Sequence, residues 1–132
     1  MIVDSSAVLA VLFDEPDAKN FEDMIAGSHC RMSAANALES AIVLESRGPN
    51  PVGDLLDDFI VESSIELVAV TVDHFSAARR AWRRFGKGRH PAALNVGDCF
   101  AYALAKIADE PLLYKGLDFS RTDIQSALTQ DE

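Results

Sequence analysis

No apolar run in this sequence approaches the roughly 20 residues that a bilayer-spanning helix needs, which excludes a helical membrane protein. The apolar start MIVDSSAVLAVLF lacks a basic leader and carries Asp4 inside the stretch, which argues against a secretory signal. Cysteine is scarce. Cys30 and Cys99 are too few for a disulfide framework, and they read as two small buried hydrophobes in a reducing compartment rather than as a bridge. A cytoplasmic protein without membrane attachment is the expectation. No repeat, low-complexity tract or linker interrupts the chain, so residues 1–132 read as one domain.

Positive charge is also in short supply. Twelve Lys and Arg face twenty-one Asp and Glu, for a net charge of −9. A general nucleic-acid binder is normally basic. Half of the cations nevertheless crowd into residues 79–90, RRAWRRFGKGRH, which hold no acid. An acidic body with one basic patch is polarised. The patch reads either as a solvated helix face with a basic loop or as a phosphate-contacting surface.

What is present is an ordinary core supply: 48% of the 132 residues are hydrophobic. Strand and helix signals alternate, which predicts an α/β fold with a parallel sheet. Short strands are expected at Ile2–Val3, His29–Met32, Leu67–Val70 and Leu112–Tyr114. Helices are expected over Ala7–Phe13 and Asp17–Ala26, and from a Ser33 cap to Arg47, stopped by Gly48 and Pro49. A further helix spans Gly53–Ser63, with Leu55, Leu56, Phe59 and Ile60 on its apolar stripe. Another runs from Thr71 or Asp73 to Phe85. Asn95 caps one from Val96 to about Asp109, and Thr122 is expected to cap a short final helix. Gly86–Leu94 reads as a basic loop.

Parallel strands imply a crevice at their carboxyl ends, so acids placed there carry the most information. Asp4 directly follows the first strand, although an aspartate there also suits a helix cap. Glu39 has Ala35, Ile42 and Val43 as its helical neighbours, a costly setting for a carboxylate without a cation unless its head reaches water. Asp98 opens a helix and can also complete a capping box with Asn95. Asp118 follows the last strand, where a turn aspartate beside Gly116 is the plainer reading. All four can converge on one end of the sheet. Carboxylates that share a pocket repel one another, and a hard divalent cation resolves the conflict. Oxygen-only ligands suit Mg²⁺ or Mn²⁺. His29, His74 and His90 are scattered and give no zinc spacing. Such a site fits phosphodiester hydrolysis. Ser6 is placed to hold a water or a phosphate oxygen, or else to serve as an N-cap.

Phosphatases of the haloacid dehalogenase type also begin with a strand and an aspartate, but they need a second aspartate two positions on, where this chain has Ser6. A receiver-like phosphoacceptor finds only Lys115 in its favour, because Asp54, Asp57 and Asp58 fall on a helix.

The segments IVDSSAVLAVLFDEPDA, SAANALES at Ser33–Ser40, GKGRHPAALNVGDCFAYALAK and LLYKGLDFSRTDI, in this order and spacing, resemble the PIN-domain toxins of the VapBC toxin–antitoxin systems. The likeness covers residues 1–125 and is most specific over Gly86–Lys106. It implies a three-layer α/β/α fold with a short parallel sheet. It implies Mg²⁺- or Mn²⁺-dependent cleavage of RNA, a VapB-like antitoxin that blocks the acidic pocket, and a homodimer. The family's first aspartate falls on Asp4, its helix glutamate on Glu39, and the aspartate opening its later helix on Asp98. Asp4 and Asp98 are thereby expected as direct metal ligands. The family's fourth acid often lies two positions earlier than Asp118, where this chain has Gly116, so Asp118 is the looser match. Lys87 and Arg89, in the loop entering the Asp98 helix, are expected to hold RNA phosphates. Of the two i,i+4 pairs, Arg79–Arg83 and Arg80–Arg84, one is expected to serve RNA. Trp82 reads as a core or interface residue. The alternative within this family is a PIN-like module that has lost activity and only binds protein.

Overall fold

The computed structural model describes residues 1–47 and 53–128. The order of elements is β1 (Ile2–Val3), α1 (Ser5–Leu12), α2 (Ala18–Ala26), β2 (Arg31–Ser33), α3 (Ala34–Arg47), α4 (Gly53–Glu62), β3 (Glu66–Val68), α5 (Val72–Phe85), α6 (Val96–Ala108) and β4 (Leu112–Leu113), followed by a 3₁₀ turn at Phe119–Arg121. The strands form one parallel sheet in the order β3-β2-β1-β4. Ile2 pairs with Arg31 on one side and with Leu112 on the other.

Alternation along these short strands builds two cores. Ile2 and Leu112 face the cluster of Ala77, Ala81, Phe85 and Leu104 from α5 and α6. Val3 and Leu113 face Val8, Phe21, Ile25, Leu44 and Leu56 from α1 to α4. Helices therefore cover both faces, which is the expected three-layer α/β/α arrangement. Cys30 and Cys99 are buried free thiols on opposite sides of the sheet, as their scarcity suggested. Among the described residues no helix is long and apolar enough to cross a membrane.

Several expected boundaries move. β2 starts at Arg31, not His29, and the His29 side chain is exposed near Glu66. β3 ends at Val68, and β4 stops before Tyr114. Leu56 is buried, but Leu55, expected on the same stripe, is 47% exposed. The stop at Gly48 and Pro49 lies outside the described residues. The final helix expected from Thr122 is replaced by other structure. The 3₁₀ turn precedes Thr122, whose hydroxyl donates to the Phe119 carbonyl at 2.7 Å and so closes that turn. The following residues then pair with the edge of β4. Leu112 donates to the Gln125 carbonyl, and the Leu112 carbonyl accepts from Ala127. A backbone committed to a strand edge is not free to coil.

Candidate active site

The carboxyl ends of β1 and β4, the start of α3 and the start of α6 meet at one edge of the sheet. Asp4 leaves β1 with its N–H donating to the Leu113 carbonyl, and it caps α1 in extended backbone geometry. Its Oδ2 accepts from the Ser6 N–H at 3.0 Å and from the Ser6 hydroxyl at 2.6 Å. The Ser6 oxygen accepts in turn from the Lys115 N–H at 2.9 Å. Ser6, expected at the substrate, thus fixes Asp4 to the segment after β4. The other carboxylate oxygen, Oδ1, is buried and has no hydrogen-bond partner among the described residues.

Glu39 reaches the same edge from α3. Its Oε1 accepts from the Ser5 hydroxyl at 2.6 Å and from the Asn36 amide at 3.4 Å. Asn36 is fully buried, and its Nδ2 also donates to the Gly97 carbonyl at 2.9 Å. Asp98 sits in the first turn of α6 within a complete capping box. The Asn95 side chain accepts from the Asp98 N–H, and Asp98 Oδ2 accepts from the Asn95 N–H at 3.1 Å. Asp118 is exposed at the head of the 3₁₀ turn and makes no capping bond there.

The electrostatics tie these four acids together. Burial pushes the Asp4 carboxyl up from 3.8 to about 7, against the lowering effect of the Ser6 bonds, and the charges of Asp98 and Glu39 raise it further. Burial likewise lifts Asp98 to about 6, opposed by its bond from Asn95 and aided by Asp118 and Glu39. The structure therefore brings Asp4, Glu39, Asp98 and Asp118 into one field. Among the described residues no group of three or more His, Cys, Asp or Glu side chains is arranged to hold a metal ion. A cation that keeps several waters and takes only one or two carboxylates does not require such a group. A buried carboxylate oxygen without a donor, as at Asp4, fits such a cation.

Lys87 and Arg89 lie in the loop before α6, closed by the Lys87 N–H to the Leu94 carbonyl. Lys87 is exposed and meets no acid among the described residues. Arg89 Nε donates to the Arg83 carbonyl, and its guanidinium lies 4.7 Å over the Trp82 ring. Trp82, read as core or interface, is 43% exposed on the surface of the domain.

Ser5, Asn36 and Gly97 escape a reading of the sequence alone. Each gains its role from at least one neighbour distant in the chain. Gly97 carried a usable signal: a glycine in the first turn of a helix weakens it, and so asks for a reason. The reason is Glu39, whose carboxylate fills the space of a Cβ at position 97.

Comparison with known proteins gives the family. The PIN domain family model matches residues 1–125. Ribonuclease VapC from Mycolicibacterium smegmatis is 53% identical over 94% of this chain and 97% of its own length. Ribonuclease VapC30 from Mycobacterium tuberculosis is 52% identical over 94% of this chain and 95% of its own. The crystal structure of Mycobacterium tuberculosis VapC20, described as a sarcin-ricin loop cleaving toxin, superposes with a TM-score of 0.76 over 93% of this chain and 95% of that one, at 15% identity, which bears on the fold alone. The chain belongs to the PIN-domain family, on its VapC branch.

Proposed function

We propose that the chain is the toxin of a type II toxin–antitoxin pair, an endoribonuclease that uses Mg²⁺ or Mn²⁺. The single observation that carries the reading is Asp4: a buried carboxylate with one oxygen unpartnered, in a shared field with Glu39 and Asp98. The names of the two relatives above, both ribonucleases, support the choice of RNA as substrate.

Asp4 Oδ1 and the Asp98 carboxylate would hold the cation, while Ser6 and Asn95 keep both side chains aimed. When bound, the cation lowers the pKa of a water and offsets charge developing on the phosphodiester. Glu39, gripped through Oε1 by Ser5 and Asn36, keeps Oε2 to orient the attacking water and take its proton. Asp118, exposed beside Asp98, positions water or substrate. Lys87 and Arg89 draw phosphates to this otherwise acidic edge. A VapB-like antitoxin is the partner that holds the activity in check, and the homodimer implied by the family resemblance is part of the same reading.

Expression in a bacterial host tests this. Growth arrest should follow induction and be relieved by Asp4→Ala, by Asp98→Ala, or by co-expression of the neighbouring antitoxin gene. Equal toxicity of the variants would remove the site assignment.

A further inference from the structure

A groove of about 370 Å³ lies between α5 and α6, lined by Arg80, Arg84, Tyr102, Lys106 and Asp123 among others. It holds three cations and one acid, in a chain whose net charge is −9. Asp123 is bound there much as a phosphate would be. Lys106 Nζ stands 2.8 Å and Arg84 Nη1 3.5 Å from its Oδ2, and the Tyr102 hydroxyl donates to its Oδ1 at 2.6 Å. Ammonium, guanidinium and hydroxyl are the donors that recognise phosphate oxygens. Arg80 has no hydrogen bond or ion pair with any described residue, so the groove retains uncompensated positive charge.

The groove adjoins the acidic centre. Asp98, Tyr102 and Lys106 follow one another at four-residue intervals on α6, so Tyr102 lies about 6 Å and Lys106 about 12 Å along the axis from Asp98. The segment that carries Asp118 beside Asp98 leads, through the 3₁₀ turn, directly to Asp123. One strand of nucleic acid can therefore touch both places. The ion pairs of Asp123 are half-exposed, and pairs of that kind are weak enough to exchange for another anion.

We propose that the Arg80–Arg84–Lys106 groove is a second phosphate subsite for single-stranded RNA, and that Asp123 is its resident counter-ion, displaced when RNA enters. This rests on the ribonuclease reading above. It gives the Arg80–Arg84 pair, rather than Arg79–Arg83, the contact with RNA.

Binding of a fluorescent single-stranded oligouridylate, measured in EDTA over a series of KCl concentrations, tests it on the full chain. Arg80→Gln removes no hydrogen bond or ion pair to a described residue and should weaken binding by roughly threefold or more, with a salt slope shallower by about 0.7. Asp123→Asn keeps an acceptor for Tyr102 and should tighten binding at low salt. Lys19→Gln, on α2 and paired with Asp23, should change neither. If Arg80→Gln and Asp123→Asn match the unsubstituted chain while Mg²⁺-dependent cleavage persists, the subsite is overturned and the ribonuclease reading stands. If the unsubstituted chain neither binds nor cleaves RNA, both fall. Should Asp123→Asn fail to fold, Arg80→Gln decides alone.

Discussion

The carboxylate of Glu39 occupies the space that a side chain on Gly97 would need. Helix α3 delivers an acid, and α6 leaves room for it immediately before its own acid, Asp98. The two helices are also joined there by the Asn36 amide on the Gly97 carbonyl.

Gly97→Ala should therefore separate activity from stability. The three atoms nearest to a methyl group at 97 all belong to the Glu39 carboxylate, which can swing away at the loss of its bonds from Ser5 and Asn36. Alanine also favours the helix over glycine by up to about 1 kcal/mol. The thermal midpoint should stay level or rise, while kcat/KM falls by about tenfold or more because Glu39 is displaced. Unchanged cleavage would show that the position of Glu39 does not matter.

Asn36 should prove structural and functional at once. It is fully buried, its Nδ2 serves both Gly97 and Glu39, and its backbone carbonyl accepts from Ser5 and Ser40. Asn36→Ala strands the Gly97 carbonyl and should cost about 1–3 kcal/mol in urea unfolding. Asn36→Asp should cost more, because it sets a carboxylate against Glu39 and against a carbonyl oxygen. Stability of Asn36→Asp equal to that of Asn36→Ala would contradict this placement.

The acidic cluster should make the metal-free protein less stable as pH rises. Folded Asp4 keeps its proton up to about 7, and folded Asp98 to about 6, whereas the unfolded chain releases both near 3.8. Between those values the unfolded state binds fewer protons, so stability falls with increasing pH. Glu110 and Asp123, which are held low, exert the opposite effect only up to their unfolded values of 4.5 and 3.8. The thermal midpoint in EDTA should therefore drop by several degrees from pH 5 to pH 8. Mg²⁺ should restore much of it at pH 8 and little at pH 5. Asp4→Asn should flatten both responses. A Mg²⁺ shift that survives Asp4→Asn would place the ion elsewhere.

Much of this architecture is legible in the sequence because its signals are local. The Asn95 cap, the Asp98 partner and the Thr71 cap are properties of a few adjacent residues, and the structure reproduces each of them. The convergence of Asp4, Glu39, Asp98 and Asp118 follows from strand ends and helix starts. Ser5 and Asn36 are invisible for the opposite reason, since each acts across two elements, and Gly97 shows only as a glycine in the first turn of a helix. The segment after Thr122 misled because its helix-cap signal is real, yet pairing with β4 outcompetes it. Gly116 accounts for the looser fourth acid. Its φ of +102° favours glycine, and the first acid beyond it is Asp118.

Cleavage of a broad RNA pool by the purified chain, freed of any antitoxin, decides whether it is a metal-dependent ribonuclease. Defined cuts are expected with Mg²⁺ or Mn²⁺ and none in EDTA, with a loss on the order of 100-fold in Asp4→Asn and Asp98→Asn. Cleavage that persists in EDTA, or proceeds equally in those variants, would contradict it.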